Sequence, residues 1–581
     1  MWLTSLFRRP KTYRNAGRVG QIGHPSHRRR SFAPHLEILE DRTLPSTLTV
    51  LNNLDSGAGS LRASITNAKS GDTIVFALSL DGQTITLTSD QITISKSLDI
   101  EGPGASLLGI SGNDTFRVFD ITNGNAVVSI AGLTISHGQT QLGSGGGGIL
   151  NEGSTLTLAN DVFSYNQVVS GRGSFGASGG AINNGGGPLT VTDSSFIGNQ
   201  AIGTPGAYGG NGGAVFNHSV AATFIRCTFM GNHAVGGDGG KTNSPDLGFG
   251  GGGAIWNGNG SDPNSVVTVQ QSTFTGNQAR GGNGGISTGS KGFIGLGSGG
   301  AIVNFGNSTL TVDTSTFISN QAIGGSNTSG TGYALGSASG GCIQNEGTAS
   351  ITNSRFDENE ALAGSFNTVS GSTIVGRAVG GAINNRPLNG GVGTVTASGD
   401  SFTNNSAVGG LGNVGGLYTG QGWGGALNNL QGGTMAISVS TFSGNQAIGG
   451  QGGTDQGGAD ALGGAIANVL GSTLTVSSCM FTGNQATGGA GGSGGNGGNG
   501  FGGGLYNDGA SSLTVTGSTI TSNSAVGGAA GSGGSAGQGI GGGVYSATGG
   551  SVCLDQYTVS NIDGNTASTS DNDIFGIFTI C

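Results

Sequence analysis

The sequence predicts a right-handed, single-stranded parallel β-helix, a solenoid in which each turn of chain stacks on the turn before it. Three observations lead there. A Gly-Gly-small-Ile-x-Asn element, a Leu-Thr-Val element and a Phe-x-x-Asn element recur in fixed order from about Gly145 to Asn565. Each element alternates apolar and polar residues, the period-two signature of a half-buried strand. Gly supplies 126 of 581 residues and charged residues only 9%, a composition that would read as low complexity without the period but reads as a quasi-one-dimensional repeat fold with it.

The first 46 residues stand apart. They are basic and aperiodic, so they predict a disordered leader. Residues 1–45 hold nine Lys or Arg and three acids, which leaves twelve cations and twenty-seven acids, a net of −15, for the rest. No Lys or Arg follows Arg386. A basic groove that could track phosphates is missing from the body, which excludes nucleic acid as the expected partner. An anionic polysaccharide would be a poor ligand for the C-terminal half. No run of ~20 apolar residues predicts a membrane-spanning helix.

Residues 47–144 predict the cap and first coils. Leu61 to Ala68 reads as a short amphipathic helix over the open end of the solenoid, where bare core and unpaired strand edges need cover. Strand-like segments follow, among them Thr84-Ile-Thr-Leu-Thr88 and Leu98-Asp-Ile100, divided by turns such as Gly102-Pro-Gly104.

Residues 145–565 predict about eleven repeats of three strands each. The inward side chains are the Ile of the first element, the Leu and Val of the second, and the aromatic ring of the third. These rings are Phe163, Phe196, Phe229, Phe274, Phe317, Phe356, Phe402, Phe442 and Phe481, with Ile520 and Ile562 in the last two copies. Three residues on stand Asn166, Asn199, Asn232, Asn277, Asn320, Asn359, Asn405, Asn445, Asn484 and Asn523. Such an Asn suits a bend, bonding the backbone of its own turn or stacking with its counterparts as an amide ladder. These Phe and Asn residues are the structural positions the sequence singles out. Length varies only between Phe-x-x-Asn-x-Ala and the next Gly-Gly, so every Gly-rich insertion, such as Ala490 to Gly500, emerges at one corner. Two readings of the insertions stay open, solvated spacers or a binding face. Residues 566–581 predict the C-terminal cap.

The chemistry is sparse. Five cysteines without C-x-x-C spacing indicate neither zinc nor a disulfide framework, and whether Cys553 and Cys581 pair stays open. Asp161, Asp193 and Asp313 read as single exposed turn residues. Asp357 and Glu358 beside Arg355 read as a solvated ion pair, and His137, His218 and His233 are scattered. No catalytic, cofactor-binding or metal-ligating residue is assigned, and no cofactor is expected.

Three resemblances add expectations. Leu36-Glu-Ile-Leu-Glu-Asp-Arg-Thr-Leu-Pro-Ser46 resembles the segment that precedes many large planctomycete surface and secreted proteins, which implies an extracellular or envelope destination. Gly59 to Phe76, reading GSLRASITNAKSGDTIVF, resembles the opening segment of bacterial surface β-helices, without the Cys and Glu that some members carry. The pairing of Gly-Gly-Ala-Ile with Phe-x-x-Asn resembles the polymorphic outer membrane protein repeat, which implies a surface-displayed, often adhesive passenger. No stretch after the repeats reads as the membrane β-barrel that such passengers carry. The expected function is that of a non-enzymatic cell-surface or secreted β-helix, an adhesin, matrix component or scaffold, whose partners are extracellular glycans or envelope components. The alternative is a polysaccharide-binding or polysaccharide-degrading protein of the pectin-lyase-like kind. It requires a groove of acids and aromatics, for which Tyr208, Trp256, Tyr333, Tyr418 and Trp423 are the available platforms.

Overall fold

The computed structural model describes residues 45–581 except 142–144, 172–175, 219, 243–245, 259–264, 290–291, 372 and 389–390. The leader therefore lies outside the described residues, save for its last two. From Pro45 to Cys581 the chain is one compact unit and winds as a right-handed parallel β-helix. Every strand pairing is parallel and joins a strand to its counterpart one coil away.

The coil beginning at Ile182 shows why the repeat folds as it does. Ile182–Asn184, Leu189–Thr192 and Ser195–Ile197 belong to sheets of fourteen, sixteen and fourteen strands. Ile182, Leu189, Val191 and Phe196 point inward and are buried. The largest sheet, at ~4.8 Å per strand, gives a rod of roughly 70 Å. Gly-Gly has two separate reasons at the corner before Ile182. Gly179 adopts φ +62°, a conformation that costs a side-chain-bearing residue. Gly180 lies so close to the next coil that a Cβ would sit 2.2 Å from the Gly213 carbonyl oxygen.

The coil has five strands where the sequence predicts three. After the Asn comes Gln200–Ile202, in a twelve-stranded sheet, and before the Gly-Gly comes Ala177–Ser178, in a ten-stranded one. These outgoing and returning strands form a wing at the corner where the insertions leave. Alanines fill the space between them, as Ala322, Ala338, Ala361, Ala378 and Ala407 do at mid-rod. Four coils carry longer insertions that add two four-stranded sheets with a core of Leu247, Ile294, Leu335, Val369 and Val375.

The insertions are consequently not free spacers. Gly452 N–H donates to Ala490 O and Gly491 N–H to Ala529 O, one coil to the next. A Cβ on Gly489 would lie 2.1 Å from the Gly450 oxygen, and one on Gly528 would lie 2.0 Å from the Gly489 oxygen. Gly489→Ala should therefore cost at least ~1–3 kcal/mol, as overpacking does. Hydrogen exchange should localise the loss to the wing.

Both ends are closed. Leu61–Asn67 is helical, with the Ser60 hydroxyl accepting from Ala63 N–H and with Leu61 and Ile65 buried against the first coils. At the far end a helical turn, Gln556–Val559, precedes four short strands that extend the sheets by one partial coil. Cys553 and Cys581 form a disulfide there, tying the last strand to the coil below.

Candidate functional site

The structure stacks the nine phenylalanines face to face. Successive ring centroids lie 4.5–5.0 Å apart, nearly parallel, and every ring is fully buried. The asparagines three residues on form a second continuous file. Asn199 shows the pattern: its Nδ2 donates to Phe163 O and Asn232 Oδ1, and its backbone N–H donates to the same Oδ1. The file runs from Asn166 to Asn565. Each Asn thus bonds the neighbouring coils, and Asn523 also bonds its own turn through Thr521 O. The residue before it takes the left-handed turn, as Gly198 at +62° and Ser319 at +52° do. A further ladder, Asn151–Asn184–Asn217 and onward to Asn507, runs through the Gly-Gly-Ala-Ile-x-Asn element.

One expectation needs correction. Asp161 is not an exposed turn residue. It is 1% exposed, its Oδ1 accepts Leu133 N–H and its Oδ2 has no partner. It occupies the buried position filled by Ser194, Cys227, Ser272 and Asp400 in other coils, two before the ring residue. Burial pushes the Asp161 carboxyl up to about 8 and the Asp400 carboxyl to about 7. Asp193 does lie at the surface, in a two-pronged pair with Arg226, and Arg355 pairs with Asp357.

A sign for pH follows. Both folded pKa values are raised, so between about pH 4 and pH 7–8 the unfolded chain releases protons that the folded chain keeps. The contribution of these two groups to stability is fully present below that window and falls as pH rises through it, by about 1.4 kcal/mol per unit for each group. Asp161→Ser should raise the melting temperature relative to the parent at pH 8.5 and leave it unchanged at pH 3.5.

The chemically distinctive region is a groove between the wing and the Ile-x-Asn sheet. Register aligns Ser298, Ser339, Val379, Trp423 and Leu462 on the returning wing strands. Opposite them it aligns Trp256, Val303, Gln344, Asn384, Asn428 and Ala467. One end is aromatic: Phe249, Trp256, Leu296 and Val303 cluster with Tyr208, Phe216, Phe293 and Phe305. The other is apolar, with Val379, Trp423, Leu430 and Leu462 in contact with Phe501 and Tyr506.

Between the two ends the groove is polar. Ser339 Oγ donates to Gln344 Oε1, Asn384 Nδ2 to Gln344 Oε1 and Ser339 Oγ, and Asn428 Nδ2 to Asn384 Oδ1. Arg377 and Arg386 are each 5% exposed. The Arg377 guanidinium lies 4.3 Å over Trp423 and 5.6 Å from the Tyr418 ring, and Arg386 lies 5.4 Å over Phe293. Arg386 is 3.5 Å from Glu346. Burial pulls the Arg377 pKa down to about 10, with the Arg386 charge acting the same way. Tyr333 sits at this band too, its hydroxyl accepting from Gln431 Nε2. Eleven buried side-chain polar atoms have no partner among the described residues. Five belong to this band: Ser337 Oγ, Gln344 Nε2, Arg377 Nη1, Arg386 Nε and Asn428 Oδ1.

A cavity of about 90 Å³ opens where the aromatic end meets the polar band. Tyr208, Trp256, Phe293 and Phe305 wall it, and Asp246, Glu346 and Arg386 line it. Burial raises the Asp246 carboxyl, although Phe293 N–H bonds its Oδ1. The five aromatic platforms thus lie along a single groove, mostly buried; Tyr418, 37% exposed, is the most open of them. No group of three or more His, Cys, Asp or Glu suited to a metal occurs among the described residues. None of their helices is long and apolar enough to cross a membrane.

No protein-family model and no curated protein matches the chain. Among solved structures it is similar to a mannuronic acid specific polysaccharide family 6 lyase from human gut microbiota, at 11% identity and a TM-score of 0.31, covering 74% of this chain and 86% of that one. It is also similar to tailspike protein 3 of bacteriophage CBA120, at 10% identity and 0.24, covering 88% and 58%. A third is the A-module of an Azotobacter vinelandii mannuronan C-5 epimerase, at 10% identity and 0.23, covering 86% and 97%. The likeness is one of fold alone, and by its own strand topology this chain is a right-handed parallel β-helix protein.

Proposed function

We propose that the protein is a secreted or surface-attached β-helix that binds a polysaccharide along the groove between wing and rod. The observation that carries this reading is the polar band, with its unpartnered buried donors and acceptors, set between an aromatic stretch and an apolar stretch that carries Trp423. Sugar rings stack their C–H faces on aromatic side chains and bond through hydroxyls, so a linear glycan needs both along one line. The ladders give that line a rigid backing, since a groove side chain on a strand is held better than one on a loop. The Cys553–Cys581 disulfide and the leader motif support an oxidising, extracellular destination. Scaffold or matrix duty and glycan binding are compatible on one rod.

The test is retention of the full chain on a panel of immobilised polysaccharides. At least one glycan should retain it, and Tyr418→Ala, at the open rim, should weaken retention about tenfold. A flat result across the panel would remove the groove from the function and leave the scaffold reading alone. A degrading activity has one observation in its favour: Asp246 and Glu346 line the same cavity, with Asp246 pushed towards its protonated form by burial and Glu346 3.5 Å from Arg386. Carboxyls in unlike environments are the pattern of acid–base pairs. Release of reducing ends by the parent but not by Glu346→Gln would establish it.

A further inference from the structure

Two buried guanidinium groups in one groove create a charge problem that the chain does not solve by itself. Arg377 and Arg386 are both nineteen-twentieths buried, and the Arg386 charge weakens Arg377's hold on its proton, in the same direction as burial. Glu346 stands 3.5 Å from Arg386. No carboxylate lies within ion-pair distance of Arg377 among the described residues, and its Nη1 finds no acceptor. Arg386 Nε is likewise unmatched. The other acids beside the groove, Asp246 and Asp460, are pushed towards their neutral forms by burial. One positive charge therefore stands uncompensated where water screens it poorly, a costly arrangement unless an anion completes it.

The donors that remain define the anion. A guanidinium presents N–H groups in a flat fork that matches a carboxylate, and its face stacks on aromatic rings. Both arginines are already stacked, on Trp423 and Phe293, and each keeps one buried nitrogen without an acceptor, Nη1 of Arg377 and Nε of Arg386. The same aromatic flanks suit pyranose rings. We infer that the groove selects an acidic glycan and that Arg377 and Arg386 receive the carboxylate of a uronic acid residue. The inference rests on the glycan-binding reading and narrows its ligand class. The anionic character of residues beyond Arg386 places this preference at mid-rod, not along the whole length.

The experiment compares charge at constant sugar. The full chain is titrated calorimetrically with oligogalacturonate, oligomannuronate and hyaluronan oligosaccharides, and with the methyl ester of each. At least one acid should bind ten times more tightly than its ester. Arg377→Gln should abolish that preference and Arg386→Gln should reduce it. Without ligand, Arg377→Gln should melt at or above the parent temperature, because it deletes an uncompensated buried charge. If it fails to fold, Arg377→Lys keeps the charge, loses the fork and should also lose the preference. Esters that bind as well as acids, or a preference that survives Arg377→Gln, would overturn the inference and leave the groove reading standing. Dextran sulfate binding as tightly as the best uronate would overturn it in favour of a general polyanion surface. Binding of no saccharide, acidic or esterified, would overturn both.

Discussion

Asn320→Leu should remove about 2–5 kcal/mol of stability, although leucine has the same number and branching of side-chain heavy atoms as asparagine and buries more apolar surface. The side chain of Asn320 accepts from Asn277 N–H at 3.1 Å and Asn277 Nδ2 at 2.9 Å, and donates to Phe274 O at 3.0 Å and Asn359 Oδ1 at 2.9 Å. All of these groups are buried. Leucine leaves the Asn277 N–H and one Asn277 amide hydrogen without partners, at about 1–3 kcal/mol each, and takes from the Phe274 carbonyl the second of its two bonds, the first being to its strand neighbour. Hydrophobic gain offsets part of this, about 1–2 kcal/mol. The adjacent Gln321 is the control. It also bonds along the rod, to Glu360 Oε2 at 2.9 Å, but at the surface water replaces the lost partner. Gln321→Leu should cost under ~1 kcal/mol. Equal losses for the two variants in chemical denaturation would show that the buried file is not a special source of stability.

The same contrast between fixed and variable positions explains what the sequence makes legible. Phe163 to Phe481 are visible because each coil must supply a ring at one register, and the parallel pairing of Phe196 with Phe229 and of Phe317 with Phe356 is that register. The Gln-Ala strand and the two-residue wing strand are hidden for the opposite reason. They are rich in Gly and Ala, too short to show alternation, and held by close packing instead of by propensity. Asp161 is misread because a carboxyl at a position held mostly by Ser and Cys suggests a turn. Only the three-dimensional register with Ser194 and Cys227 reveals burial. The groove is hidden differently. Its sheet-side residues occupy the variable x of Gly-Gly-Ala-Ile-x-Asn, where Phe216, Trp256, Gln344, Asn384 and Tyr506 look like noise. Large aromatics and amides at the one free place in a rigid motif are themselves the signal, because an exposed strand position on an ordinary rod would carry Thr or Ser, as Thr311 and Thr475 do on the neighbouring sheet.

Phe317→Ala should cost about 3–5 kcal/mol, and where that cost appears matters as much as its size. The ring is fully buried, 4.8 Å from Phe274 and 4.8 Å from Phe356, at 16° and 2° to them. Truncation opens a cavity between two rings pinned by their own strands, so the coils above and below cannot close on it without breaking register. Phe317→Ile should be milder, about 1–2 kcal/mol, since Ile520 fills the same place beneath Phe481 without a gap in pairing. A globular core would spread such a lesion through the whole molecule. A stacked rod with nearest-neighbour coupling should confine it. Hydrogen exchange of Phe317→Ala should therefore show lost protection in the coils of Phe274, Phe317 and Phe356 and native protection around Phe481. Uniform loss from end to end would mean that the ladders couple the whole rod into one cooperative unit. An unchanged melting curve would mean that the ring is not part of the core that holds the coils together.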